Sequence, residues 1–238
     1  ISLGLVGSEM CIRDRLKTPV RNAISWLDGA QDIAGYEKSI PEMFVPNVFN
    51  FASEGKCYRY GSVNMPLTKW GPWHTPDHKA EGSLADVRIS IADMLTPEKV
   101  MDIMQFFTLF STDKKHRKIK IICRYQQYEA ANLIVERVKE NKIKQGLIWH
   151  FQGSGKSLLM VFAAQKLRMI PELQNPTVVI VDDRIDLETQ ITGDFNAADI
   201  PNLQSLATKE ELMNFFEQDM RKLSLIHISE PTRPRLIS

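Results

Sequence analysis

The chain has 238 residues, 43% of them apolar and 25% charged, with 30 Lys and Arg against 29 Asp and Glu. This balance excludes a disordered or collagen-like chain, and a formal net charge of +1 leaves no overall electrostatic footprint for nucleic acid. No run approaches the roughly 18–20 apolar residues of a membrane helix and no secretory leader pattern is visible, so the sequence reads as cytoplasmic with no membrane partner.

In chain order, residues 1–15 (ISLGLVGSEMCIRDR) come first, and they have a counterpart in residues 223–237 (LSLIHISEPTRPRLI). One DNA segment encodes the first on one strand and the second on its complement, and that segment looks like a sequencing-library adapter with its index. The ends, 1–15 and 223–238, are therefore expected to be adapter-derived tails. They flank an insert, 16–222, that is expected to be truncated on both sides.

Within the insert, residues 20–36 place Ile24, Leu27, Ala30, Ile33 and Ala34 at three- and four-residue spacing, which predicts an amphipathic helix. Two β-prone runs, MFVPNVFNFAS and KCYRYGSV, flank a turn at Ser53 to Gly55 and predict a hairpin. Residues 66–83 are rich in Pro, Gly, Trp and His without a period and read as a loop. Thr96 and Pro97 form a helix start, as N-cap and first helical residue, for VMDIMQFFTLF. That helix is expected to close a first domain, 16–113.

The basic stretch KKHRKIK (114–120) reads as a solvated linker, with contact to a DNA backbone as the alternative. A second domain, 114–222, follows. Residues 127–139 are helical in period, with Ala131, Ile134, Val135 and Val138 on one face. GLIWHF (146–151) is a short apolar strand candidate, SLLMVFAAQKLRMI a helix, and TVVIV a strand of the kind buried in a parallel sheet, which together predict a βαβ unit. Cys11, Cys57 and Cys123 lack zinc-site spacing and are too few for a disulfide framework; Cys57 and Cys123 read as small buried hydrophobes.

The strongest chemical signal is GSGKS, Gly153 to Ser157, between the strand candidate and the helix. A loop that wraps a triphosphate with main-chain N–H groups needs glycine where a Cβ would block the approach or forbid the dihedral angle, which Gly153 and Gly155 supply around Ser154. Lys156 would place its ammonium on the β- and γ-phosphates and Ser157 would offer its hydroxyl to Mg²⁺. The complete G-x-x-x-x-G-K-[ST] pattern is not met, because His150 stands at the first glycine. TVVIVDD ends in two acids, and local spacing alone leaves Asp182 and Asp183 open between a Walker B role on Mg²⁺ and an ordered strand-end turn.

These residues resemble a known family. Residues 145–168 and 175–191 are similar to the motor region of the restriction (R) subunit of type I restriction-modification enzymes, which belongs to the superfamily 2 helicase-like ATPases. That resemblance accounts for His150, since His or Thr is tolerated there, and it matches Asp183, Arg184, Asp186, Leu187 and Gln190 to a D-R-x-D-L-x-x-Q segment that is not Walker B. RYQQYEAA resembles the adenine-reading Q motif, with Arg124 and Gln127 three apart and Ala130 three beyond; a Gln amide can pair with both N6 and N7 of adenine. The alternative for this short motif is an ordinary helix start. LKTP at 16–19 resembles the E-L-K-[NT]-P strand end of a PD-(D/E)xK nuclease, making Lys17 the catalytic-type lysine beside a carboxylate-bound Mg²⁺. Arg15 stands where that family has Glu, and Gln31 and Tyr36 approximate a Q-x-x-x-Y pattern one residue too long.

The fold class implied is α/β: the end of a PD-(D/E)xK nuclease-like domain followed by the first βαβ part of a RecA-like P-loop domain. The function implied is that of a fragment, itself inactive, of an ATP-hydrolysing type I site-specific deoxyribonuclease. The cofactors implied are ATP and Mg²⁺; the partners are double-stranded DNA and the specificity and methyltransferase subunits of the same system. Another superfamily 2 translocase, a P-loop adaptor and a P-loop kinase with TVVIVDD as Walker B are the competing readings.

Overall fold

A computed structural model of the chain describes residues 2–4, 25–112, 118–151, 153–182, 203–206, 208–217 and 223–227. It divides into two compact units, 1–130 and 131–238. The first unit opens with strand β1 (Ser2–Gly4) and helix α1 (Trp26–Ser39). Helix α1 starts at Ser25 through a capping box, in which the Ser25 hydroxyl accepts N–H bonds from the first turn and Asp28 accepts the Ser25 N–H at 2.8 Å. Ala30 and Ile33 are buried as the period predicts, whereas Leu27 is exposed.

The expected hairpin is present: β2 (Phe49–Ser53) pairs antiparallel with β3 (Tyr58–Ser62), with Phe51 opposite Tyr60. Its aromatic side chains build the core. Phe51 packs on Tyr58 at 5.2 Å between ring centroids and Tyr60 packs edge-on against Trp73 at 5.8 Å. The 66–83 segment is a loop with one 3-10 turn (Leu67–Lys69), yet it is not a solvated one. Trp70 and Trp73 are buried, Tyr60 exchanges backbone hydrogen bonds with Gly71, and Arg59 forms a two-pronged ion pair with Glu81. Trp70 joins Ala30, Ile33 and Ala52 in a hydrophobic cluster that holds α1 on the sheet. Aperiodic Trp-rich sequence thus fills the core where regular elements leave a gap, which no local pattern announces.

Helix α2 (Leu84–Met94), unanticipated in the sequence, begins with a second capping box, Ser83 with Asp86. Helix α3 (Pro97–Phe106) starts at Thr96 and Pro97 as expected, although the Thr96 hydroxyl donates backwards to the Asp93 carbonyl at 3.1 Å instead of capping. The helix does not close the domain. It stops at Phe106, and β4 (Thr108–Thr112) pairs antiparallel with β5 (Lys118–Ile122), so the expected boundary at 113/114 falls inside a hairpin. Lys118 and Lys120 are therefore strand residues and not linker. The Lys120 ammonium donates to the Asn47 carbonyl and lies 5.6 Å over the Phe110 ring, held there by packing that also lowers its pKa.

Helix α4 (Tyr125–Glu140) runs across the division between the units. In the second unit, Ala131 and Val135 are buried and Val138 is exposed. Helix α5 (Lys156–Met169) carries seven buried residues and is tied to α4 by Lys166, whose ammonium donates to Asn132 at 2.6 Å. Strand β6 (Val178–Asp182) forms where TVVIV predicts one, but it is not buried on both faces: Ile180 is buried and Val181 is exposed, because β6 lies at the edge of its described sheet. It lies in a three-stranded parallel sheet of order β6-β8-β7, with β7 (Leu203–Leu206), helix α6 (Lys209–Glu217) and β8 (Leu223–His227) forming a βαβ arrangement.

The expected strand at 146–151 is not formed. Residues 143–151 carry no regular structure, with Leu147 and Trp149 86% and 87% exposed. A strand exists only as one side of a ladder, and the described ladder of β6 is made with β8. Both runs expected to be adapter-derived carry a strand: β1 pairs with β2, and β8 sits between β6 and β7. Main-chain ladder bonds are indifferent to the side chains they carry, so any β-prone run can pair with a strand that has open ladder positions. Among the described residues, no helix is long and apolar enough to cross a membrane.

Candidate nucleotide-binding site

The phosphate-loop sequence adopts the backbone its glycines permit. Gly153 has φ +80° and Gly155 φ +81°, ψ +45°, both left-handed conformations that an L side chain resists. Between them Ser154 is buried, and its N–H donates to the Phe151 carbonyl at 3.3 Å, closing a tight turn. Among the described residues, no atom outside its chain neighbours lies within 4 Å of where a Gly153 Cβ would stand, so the conformation and not crowding calls for glycine there.

Gly155 is the N-cap of α5, and its carbonyl accepts the Leu159 N–H at 3.1 Å. Lys156 and Ser157 are the first two helical residues. Among the described residues no side-chain hydrogen bond caps this end, and the first turn of the helix carries no acid to offset its positive dipole end. Lys156 is exposed and Ser157 is buried, with 9% of its surface accessible. A left-handed glycine turn, a helix N-terminus and an adjacent ammonium are parts from which an anion receptor can be built, and a hydroxyl at the second helical position, that of Ser157, suits an Mg²⁺ held with the anion.

His150, at the first-glycine position, reaches into this turn: its Nδ1 lies 3.4 Å from the Ser154 hydroxyl. The sequence identifies His150 only as a departure from the motif. Its role as a neighbour of the loop required coordinates.

Gln127 lies in the first unit, at the third helical position of α4. Its side-chain carbonyl accepts the Arg124 N–H at 2.8 Å, and the residue is 2% exposed. Arg124 is exposed. The Q-motif residues and the phosphate loop fall in different compact units, and each is described within its own. Lys17, Asp183, Arg184, Asp186, Leu187 and Gln190 lie outside the described residues; for Asp182 only the backbone at the end of β6 is described. Gln31 and Tyr36 both lie on α1, five residues apart, which turns them to different sides of a helix, whereas Q-x-x-x-Y spacing would align them. Among the described residues, no group of three or more His, Cys, Asp or Glu side chains could hold a metal ion.

Comparison with known proteins decides the family. Residues 126–231 match the SWI2/SNF2 ATPase family model. The type I restriction enzyme HindI endonuclease subunit of Haemophilus influenzae is 30% identical over 94% of this chain. This chain belongs to the type I restriction endonuclease-subunit family. Two further relatives are from Methanocaldococcus jannaschii: the putative type I restriction enzyme MjaVIIIP endonuclease subunit, 36% identical over 85% of the chain, and its MjaVIIP counterpart, 28% identical over 86%. The chain spans 23%, 20% and 20% of the lengths of these three relatives. The SWI2/SNF2 ATPase match includes the whole of the glycine turn that opens α5.

Proposed function

We propose that this chain is part of the subunit that translocates and cleaves DNA in a type I restriction system, comprising the end of a PD-(D/E)xK nuclease-like region and the opening of RecA-like lobe one. The observation that carries this reading is the left-handed Gly153 and Gly155 turn running into Lys156 and Ser157 at the start of α5. The site residues proposed are Gly153, Ser154, Gly155, Lys156 and Ser157 for the phosphates, Ser157 also for Mg²⁺, Gln127 and Arg124 for the adenine end, and Lys17 for the nuclease chemistry. Double-stranded DNA is the substrate, and the partners are the specificity and methyltransferase subunits.

The chain's own contribution is binding and charge placement. The backbone of Gly153 and Gly155 already has the left-handed turn that leads into α5, so little reorganisation of the loop is needed to receive anionic oxygens, and Lys156 would add a full positive charge beside them. ATP with Mg²⁺ supplies the phosphoryl group whose loss drives motion in such motors. Hydrolysis also requires a Walker B acid and a second lobe. TVVIVDD is read as the D-R-x-D-L-x-x-Q strand and not as Walker B, so this chain by itself is expected to bind nucleotide without turnover.

The test is nucleotide affinity of the chain and of Lys156→Ala, measured with a fluorescent ATP analogue in the presence of Mg²⁺. Binding that weakens at least about tenfold in the variant supports the reading. Equal binding by both overturns it, and measurable ATP turnover that vanishes in Lys156→Ala overturns the expectation of inactivity.

A further inference from the structure

We propose that Trp73 and His74, in the loop between β3 and α2, are positioning residues for the adenine-reading helix start, so that base selectivity depends on a loop some fifty residues upstream. The proposal rests on the reading of Gln127 as the base-contacting residue. Tyr125 and Tyr128 lie at the first and fourth helical positions of α4, one turn apart, with Gln127 between them. Each is met by one ring from the loop. The His74 imidazole stands edge-on to Tyr125, with centroids 4.9 Å apart and planes at 82°, and the Trp73 indole lies 5.3 Å from Tyr128.

The loop residues are themselves anchored. Trp73 is 2% exposed, and its indole N–H donates to an Asp93 carboxylate oxygen at 2.7 Å. The other Asp93 oxygen accepts from the Lys99 ammonium at 2.5 Å, and that ammonium lies 6.0 Å over the Tyr128 ring. Phe107 also packs against Tyr128, with ring centroids 4.7 Å apart. The chain entering the helix is pinned as well: the Tyr60 hydroxyl donates to the Cys123 carbonyl at 2.7 Å, and the Cys123 N–H donates to the Phe107 carbonyl at 3.0 Å. The Gln127 amide is therefore set in place by backbone bonds before the helix and by ring contacts on its first turn.

This matters because adenine and guanine differ, on the edge an amide would read, by an exchange of donor for acceptor. A side chain discriminates between them only if its own donor and acceptor are held to within a fraction of an ångström. Loosening Tyr125 or Tyr128 would blunt the discrimination while leaving phosphate binding at residues 153–157 in place.

The experiment compares ATP and GTP affinities, by titration of fluorescent analogues with Mg²⁺, for the chain and four variants: Gln127→Ala, His74→Leu, His74→Phe and Trp73→Phe. Leucine fills the His74 site without an aromatic edge, phenylalanine restores the edge, and far-UV circular dichroism verifies that each variant folds. The expected result is that His74→Leu lowers the ATP-over-GTP ratio roughly fivefold, that His74→Phe returns it to within about twofold of the parent, and that Gln127→Ala removes it. Trp73→Phe, which loses the bond to Asp93, is expected to fall between. If Gln127→Ala removes the preference and His74→Leu and Trp73→Phe keep it in full, the positioning role is overturned alone. If the parent shows no preference, or Gln127→Ala retains it, the reading of Gln127 is overturned and the proposal with it.

Discussion

The side-chain carbonyl of Gln127 accepts the backbone N–H of Arg124 at 2.8 Å, so the residue resembling a base-reading glutamine also caps its own helix. The two roles draw on different atoms of one amide. Capping needs the oxygen, whereas pairing with adenine needs the NH₂ group as well. Gln127→Glu retains an acceptor for the Arg124 N–H, favoured further by the helix dipole, and gives up the donors. Its expected outcome is loss of ATP-over-GTP preference with the helix retained, whereas Gln127→Ala loses both and lowers the melting temperature, at a cost of about 1 kcal/mol. Paired affinity and thermal-melt measurements check this, and a Glu variant that still prefers ATP would sink it.

The contact between His150 Nδ1 and the Ser154 hydroxyl at 3.4 Å predicts coupling inside the phosphate loop. His150→Ala and Ser154→Ala should each weaken ATP binding, and the double variant should lose no more than the worse single one, a coupling of roughly 0.5–1 kcal/mol. Strictly additive losses would show that the two side chains act separately.

Gly61 sits under the Trp70 indole. A Cβ added there would lie 2.5 Å from both Cδ1 and Nε1 of that ring. Gly61→Ala is expected to push Trp70 out of the cluster with Ala30, Ile33 and Ala52 and to destabilise the fold by about 1–3 kcal/mol. Chemical denaturation monitored by tryptophan fluorescence measures it, and an unchanged midpoint would contradict the packing described.

Glu37 is buried, and its carboxylate accepts from the Asn50 amide at 2.9 Å. Burial raises its pKa above the ordinary carboxylate value, against the lowering effect of bonds from Asn64 and Asn50. A group whose folded pKa is raised contributes stability below its unfolded pKa, and that contribution is lost as the pH rises through the folded pKa. Glu37→Gln keeps an acceptor without the charge. It should match the parent near pH 4 and melt a few degrees higher near pH 7. A difference that does not grow with pH would show that the charge is not costly there.

What could be read along the chain and what could not divides by range. The GSGKS turn was legible because its requirements are local: two left-handed dihedrals at Gly153 and Gly155, then an ammonium and a hydroxyl on the first turn of a helix. The β2–β3 hairpin and α1 were legible for the same reason, through turn residues and a three-to-four-residue period. The 146–151 run does not form the strand its composition predicts, because an apolar stretch specifies only that it needs a neighbour and not which one. Lys120 is not the solvated residue its basic cluster predicts, because Asn47 and Phe110, far away in sequence, surround it.

Residue chemistry and short spacing were enough to determine the glycine turn that opens α5 and the family likeness, since both are written in consecutive positions. Tertiary structure alone decided that Trp73 and His74 meet Tyr128 and Tyr125, that Gln127 turns its carbonyl back onto Arg124, and which strands pair in the parallel sheet. Those outcomes depend on which distant surfaces exclude water from one another and which ladders find partners, and no local stretch of sequence encodes either.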